Sequence, residues 1–389
     1  MKIILTILRL NIVFLACIFI TSCSSLGWLK FWENDEEIEV PALLQDFKQS
    51  IVIKDLWSAK LGKYDILGRL TPSFSVDKIF FVNSEGSVFA FEADTGKNIW
   101  IKETGDIVSG GIESRFKRLI YGTLDGEVVV LDQESGQEIW RSQVTSEILS
   151  SPLTDGSIVA VQASDDSVTG FDLRTGNRKW VHQSTAPSLS LRGTATPVFA
   201  QGFIFTGFAN GMVVMIYPDS GAIRLEMPVT LNEGTSELER IIDIDGKSVI
   251  SNNILVSASY QGDITAIDLQ EIRPVWKEKI STTKDLVEAR SRVVAIDDKD
   301  LIKGFSLSTG VKMWQQDGLK LRELSSPINV RGNIAIGDYE GYLHILDSSD
   351  GSFSARKKIS KNPIIEIVSE GDKLAVLDNA GRLFFLSIQ

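Results

Sequence analysis

From about residue 50 to its end, the chain repeats one short pattern of apolar and polar positions. Residues 126–140 read GEVVVLDQESGQEIW: a tight turn, an alternating strand, an aspartate, a Ser-Gly turn and a tryptophan. The same phrase stands forty residues earlier at 86–100 (GSVFAFEADTGKNIW) and forty later at 166–180 (DSVTGFDLRTGNRKW). Val128, Val130 and Asp132 alternate with Val129 and Leu131, which is the period of a strand with two different faces. The pairs Thr95-Gly96, Ser135-Gly136 and Thr175-Gly176 supply the positive φ of a tight turn between strands. The next strand brings Trp100, Trp140 or Trp180 four residues after the glycine. A ring at a fixed place in each unit can bury roughly 150–250 Å² and dock one unit on the next.

Eight such strand openings are marked by Gly86, Gly126, Asp166, Gly211, Gly262, Asp300, Gly341 and Gly381. Alternating strands are predicted after them at 87–91, 127–131, 167–171, 212–216, 263–267, 301–305, 342–346 and 382–386. Further short strands such as 118–122, 158–161, 203–206, 254–258 and 334–337 lie between. About four strands per unit at a period near 40 is the signature of a β-propeller blade. The expected fold is all-β: an eight-bladed β-propeller of four-stranded antiparallel blades over 51–389.

Trp100, Trp140, Trp180, Trp276 and Trp314 fill the docking position, whereas Leu225 and Ala355 replace it in two repeats. Ile272 stands where one repeat should have its turn glycine. Those units should dock less tightly. Trp57 precedes the first repeat in a stretch, 52–61, that resembles the tryptophan-bearing strands, and the last repeat stops at Gln389 without one. The predicted solution is closure: the N-terminal strand completes the C-terminal blade, which removes an open sheet edge.

Two successive connections between blades are longer than the rest, after Trp180 and after Leu225, and insertions gathered on one face of a repeat array are often its binding face. The first holds Ser188-Leu189-Ser190-Leu191-Arg192-Gly193. The second covers 231–245; its first part, 231–239, reads as polar, and it ends Glu239-Arg240-Ile241-Ile242-Asp243-Ile244-Asp245. Leucines beside an arginine near alternating aspartates suit an apolar anchor with a charged rim. They equally suit core leucines with solvated charges.

Composition narrows the function. The net charge is −11, which disfavours nucleic acid as a partner. The two cysteines, Cys17 and Cys23, lie in the N-terminal segment, so the folded part has no disulfide framework or cysteine metal site. His182 and His344 are the only histidines, each on a predicted strand, and both read as structural; no Ser-His-Asp arrangement is legible.

Residues 10–20 are almost wholly apolar, behind Lys2 and Arg9, and too short for a comfortable membrane span. The following Ile20-Thr21-Ser22-Cys23 resembles the lipobox of bacterial lipoproteins. That resemblance implies a signal peptide over 1–22, lipid attachment at Cys23 and, with Ser24 next, the periplasmic face of the outer membrane. The other reading is an ordinary secretory signal that contains a cysteine. Residues 23–50 are expected to form an acidic tether, with Trp28, Phe31 and Trp32 either at a lipid interface or in a plain linker.

The Asp, Thr-Gly and Trp phrase resembles the repeats of pyrroloquinoline-quinone dehydrogenases over nearly all of 51–389. Those enzymes are usually longer, bind calcium and often carry a vicinal disulfide; this chain has no Cys-Cys pair. With the lipobox, the eight repeats, the Ser188–Gly193 stretch and the segment GDYEGYLH at 337–344, the chain is more similar to the non-catalytic BamB family. That resemblance implies a scaffold lipoprotein of the outer-membrane β-barrel assembly machinery, needing no cofactor. It implies contact with the periplasmic domains of BamA through Leu189, Leu191, Arg192, Asp243 and Asp245, with Arg240 a weaker addition. It also allows contact with unfolded outer-membrane protein precursors. The rival readings are a quinoprotein dehydrogenase and a periplasmic propeller that binds a small ligand at its axis.

Overall fold

The computed structural model describes residues 39–389 except 63, 65–67, 186, 192, 232 and 233. Residues from Pro41 to Gln389 form one compact unit. The expected signal peptide, Cys23 and most of the tether lie outside the described residues.

The unit is the anticipated ring: eight antiparallel sheets of four strands. Blades 1 to 7 occupy 73–103, 108–143, 153–183, 198–228, 249–279, 287–316 and 328–358. Blade 8 combines Ile364–Glu370, Lys373–Asp378 and Arg382–Ile388 with the N-terminal strand Ile53–Lys60. Ile53 stands opposite Ile388 and Lys60 opposite Arg382, so the first strand closes the ring as the sequence anticipates. The strand after Asp300 is Ile302–Ser306, one residue later than predicted. At the Gly262 opening the left-handed residue is Gln261 rather than the glycine.

Docking follows one rule. Each docking tryptophan lies against the turn glycine of the next blade and, Trp100 apart, its indole N–H donates to a carbonyl in that turn. Trp140 reaches Leu173 O at 2.8 Å, Trp180 reaches Pro218 O at 2.6 Å, Trp276 reaches Leu307 O at 2.8 Å and Trp314 reaches Ser348 O at 3.0 Å. A Cβ on Gly176, Gly221, Gly310 or Gly351 would come within 2.5–2.7 Å of the ring that covers it, so these turns need glycine for contact as well as for φ. The two blades without a tryptophan face turns without a glycine. Leu225 of blade 4 precedes the turn that holds Ile272, and Ala355 of blade 7 precedes the seam where Val52 and Gln389 exchange backbone hydrogen bonds.

The innermost strands of all eight blades line an axial cavity of about 630 Å³. Arg69 reaches across it. Its guanidinium donates to both carboxylate oxygens of Asp285 (2.7 and 2.6 Å) and to Glu366 (2.6 Å). Its backbone joins Leu149 and Gly111. Burial opposes the charge on Asp285, yet Arg69 holds that carboxyl below its ordinary range; burial pushes Glu366 up despite the same partner.

Residues 41–50, expected as the end of a free tether, lie along blade 7. Arg322 donates to Ala42 O (3.0 Å) and Arg356 to Gln45 O (2.8 Å), while Phe47 stacks on Phe353 at 5.3 Å. His344 joins the two arginines from beneath. Its Nδ1 accepts from Arg356 at 3.2 Å and its Nε2 lies 3.0 Å from the Asp338 carboxylate, which also pairs with Arg322. His344 is thus held within this network, on the strand predicted for it.

Candidate functional site: the two long connections

The long connections are real, and both leave the same edge of the ring: 184–197 between blades 3 and 4, and 229–248 between blades 4 and 5. The structure ties them together at one point. Leu191 N donates to the Asp243 carboxylate, so the backbone of the first connection rests on a side chain of the second. Gly193 sits beside this contact, where a Cβ would meet Asp245 Oδ1 at 2.8 Å.

The alternation in 241–245 has a local cause. Ile242 and Ile244 are buried; Ile244 packs where Gly207 leaves room and Ile242 where Gly211 does. Ile244 N donates to Phe208 O (3.3 Å), and Tyr260 N to Asp243 O (2.8 Å). The stretch is thus stitched between blades 4 and 5, and Asp243 is drawn inside at 1% exposure. It supports the patch from within, and the charged-rim expectation does not hold for it. Asp245 is half-buried and Arg240 is exposed, its guanidinium donating to Gly234 O at 3.0 Å.

Leu189 is 47% exposed and Leu191 half-buried, so neither is a core residue. Arg192 lies outside the described residues. Within the polar stretch 231–239, Leu231 and Leu238 are 61% and 68% exposed. They enlarge the apolar content of the face. Their signal was present as two leucines in a loop, but spacing alone could not say whether they turn inward. The loop is held by Glu239, which accepts from Thr235 N and Oγ1 at 2.8 Å.

A residue that sequence reading used only as a turn marker belongs here too. Asp166 adopts φ 60° at the blade 3 turn and is buried. Burial and the neighbouring Asp245 push the Asp243 carboxyl up to about 7. Burial, with Asp166 adding repulsion, pushes Asp245 to about 6; Asp166 itself, buried beside Asp165, also rises to about 6. Among the described residues, Asp243 Oδ1 and Asp166 Oδ2 are buried without a donor. The patch therefore combines exposed leucines with an acidic interior that a cation would stabilise. Among the described residues, no group of three or more His, Cys, Asp or Glu is arranged to hold a metal ion.

His182 lies on the last strand of blade 3, its ring 5.7 Å from Phe208; burial holds it below its ordinary range. Among the described residues its Nε2 is buried without a hydrogen-bond partner.

Residues 84–316 match the family model described as "Outer membrane protein assembly factor BamB". The assembly factor of that name from Kangiella koreensis is 33% identical over 83% of this chain and 84% of its own length. The one from Burkholderia pseudomallei is 30% identical over 89% of this chain and 91% of its own. Among solved structures, BamB from Moraxella catarrhalis superposes with a TM-score of 0.79 at 24% identity, covering 86% of this chain and all of that one, which establishes the shared fold. With the ring, its closure and the two tied connections in place, these matches assign the chain to the BamB family of outer membrane protein assembly factors.

Proposed function

We propose that the protein is a non-catalytic scaffold lipoprotein that holds the periplasmic domains of BamA in the outer-membrane β-barrel assembly machinery. Lipid on Cys23 anchors it at the periplasmic face of the outer membrane. Leu189, Leu191 and Arg192 form the contact, with Arg240 and Asp245 at its margin. Asp243 acts from beneath by fixing the Leu191 backbone. The other subunits join through BamA, and barrel precursors pass close to the assembled face.

One observation carries this reading: the Leu191–Asp243 hydrogen bond turns two separate loops into a single surface with exposed leucine on it. Large apolar side chains held rigidly beside charged groups are the usual anatomy of an interface centre. No step of such a role needs covalent chemistry.

The test is recovery of partners from solubilised membranes with intact protein and with Leu191→Ala/Arg192→Ala, each checked for folding by circular dichroism. The intact form should retain a large barrel protein that the variant loses. Equal retention by both would remove the patch from the reading, and recovery of no barrel protein by either would overturn it.

A further inference from the structure

On the same edge of the ring, at the junction of blades 7 and 8, a second concave site differs in chemistry from the leucine patch. The connection 359–363 and the turn after Asp378 enclose about 710 Å³ with Lys60, Lys358, Lys361 and Arg382 around it and Phe384 in its wall. This junction stands half a ring away from the connection that bears Leu191.

Among the described residues the positive charges here outnumber the negative by four to one. Lys60 and Arg382 face each other directly across the closing strand pair, a like-charge placement that destabilises a sheet. Elsewhere many lysines and arginines find carboxylates, yet among the described residues no salt bridge forms at any of these four. The one acid in the wall, Asp378, is already committed. It accepts from Ser360 Oγ at 2.6 Å and from the backbone N–H groups of Ala380 and Arg382 at 3.0 and 2.9 Å. Two of the cations are held over rings, Lys358 over Tyr342 at 4.8 Å and Arg382 over Phe384 at 5.7 Å, which limits the side-chain freedom lost on binding. A concentrated cluster of cations in a chain of net charge −11 is a local reversal of sign.

We infer that this pocket binds a phosphate group. Several lysines acting as point charges around a concavity suit the compact charge of a phosphate monoester or diester. The half-buried Phe384 offers an apolar wall to whatever carries it. The same chemistry is presented by free phosphate and by an anionic phospholipid headgroup.

The test is calorimetric titration of the full chain in detergent with three probes: inorganic phosphate, glycerol 3-phosphate and water-soluble dihexanoylphosphatidylglycerol. Dihexanoylphosphatidylcholine serves as the zwitterionic control. At least one anionic probe should bind, with affinity falling about tenfold per cation removed in Lys358→Gln and Lys361→Gln, and falling again at high salt. Equal binding of all three anionic probes identifies free phosphate as the ligand. Preference for the phosphatidylglycerol over the other two and over the phosphatidylcholine identifies a lipid headgroup. Binding of none of them, or binding unchanged in variants of unaltered melting temperature, overturns the inference. Arg382→Gln gives an independent check at the opposite wall, and Leu191→Ala should leave the titration unchanged.

Discussion

The indole of Trp57 covers Gly96 so closely that a Cβ there would lie 2.4 Å from the ring, and its N–H donates to Ala93 O at 2.7 Å. The two residues belong to the last and first blades of the ring. Their contact repeats, at the point of closure, the contact that joins the other blades. Phe385 stacks beneath the same indole at 4.9 Å.

Closure should therefore be sensitive at both partners. Trp57→Ala removes the ring and its hydrogen bond and is expected to cost about 3 kcal/mol. Gly96→Ala adds a methyl into the indole at a residue with φ 70° and should lower stability through a different cause. Thermal unfolding of both variants checks this. An unchanged midpoint in Trp57→Ala would show that the strand pairing alone closes the ring.

Ile272 offers the opposite test. It holds φ 53° in a turn where the equivalent positions are glycines, and a β-branched residue there is strained. No tryptophan covers it, so glycine would create no clash and lose no docking. Ile272→Gly is expected to stabilise by about 1 kcal/mol, the strain relieved less the added backbone entropy. A raised denaturant midpoint with an unchanged slope is the expected result.

Arg69 is the common partner of Asp285 and Glu366 across the axis. Arg69→Met leaves two buried carboxylates without their cation and is expected to cost about 3 kcal/mol. Adding Asp285→Asn and Glu366→Gln removes that uncompensated charge, so the triple variant should regain part of the loss. Urea unfolding of the three proteins at pH 7 measures it. A triple variant less stable than the single one would mean that hydrogen-bond geometry, rather than charge, governs the axis.

The acids under the leucine patch give a pH dependence of defined sign. Asp243 titrates near 7 in the fold and near 4 when unfolded, so between these values the folded state holds the extra proton. Its contribution is full below about pH 4 and is lost as pH rises through 7, with a slope of at most about 1.4 kcal/mol per pH unit per proton. Asp243→Asn keeps an acceptor for Leu191 N while removing the titration. It should reduce the slope of the stability profile between pH 5 and 8, leaving the part due to Asp245 and Asp166, and make the protein more stable than the parent at pH 8.

The sequence by itself determined the repeat, and through it the fold. Alternating apolar positions, a turn glycine and a tryptophan at constant spacing are local requirements of strand, turn and docking ring, so each is written out in the chain. Closure was legible for the same reason, because Trp57 has no other unit to complete. The two long connections were legible as extra residues. What only the tertiary structure decided was which way their side chains turn. Asp243 went inside because Ile242 and Ile244 on either side fill spaces left by Gly211 and Gly207 of another blade. Leu231 and Leu238 stayed outside, which no spacing records. Arg69 and its carboxylates are separated by more than two hundred residues, and the cations of blades 7 and 8 gather from both ends of the chain. Closing a ring brings distant segments together, and that proximity depends on the number of blades rather than on any local pattern.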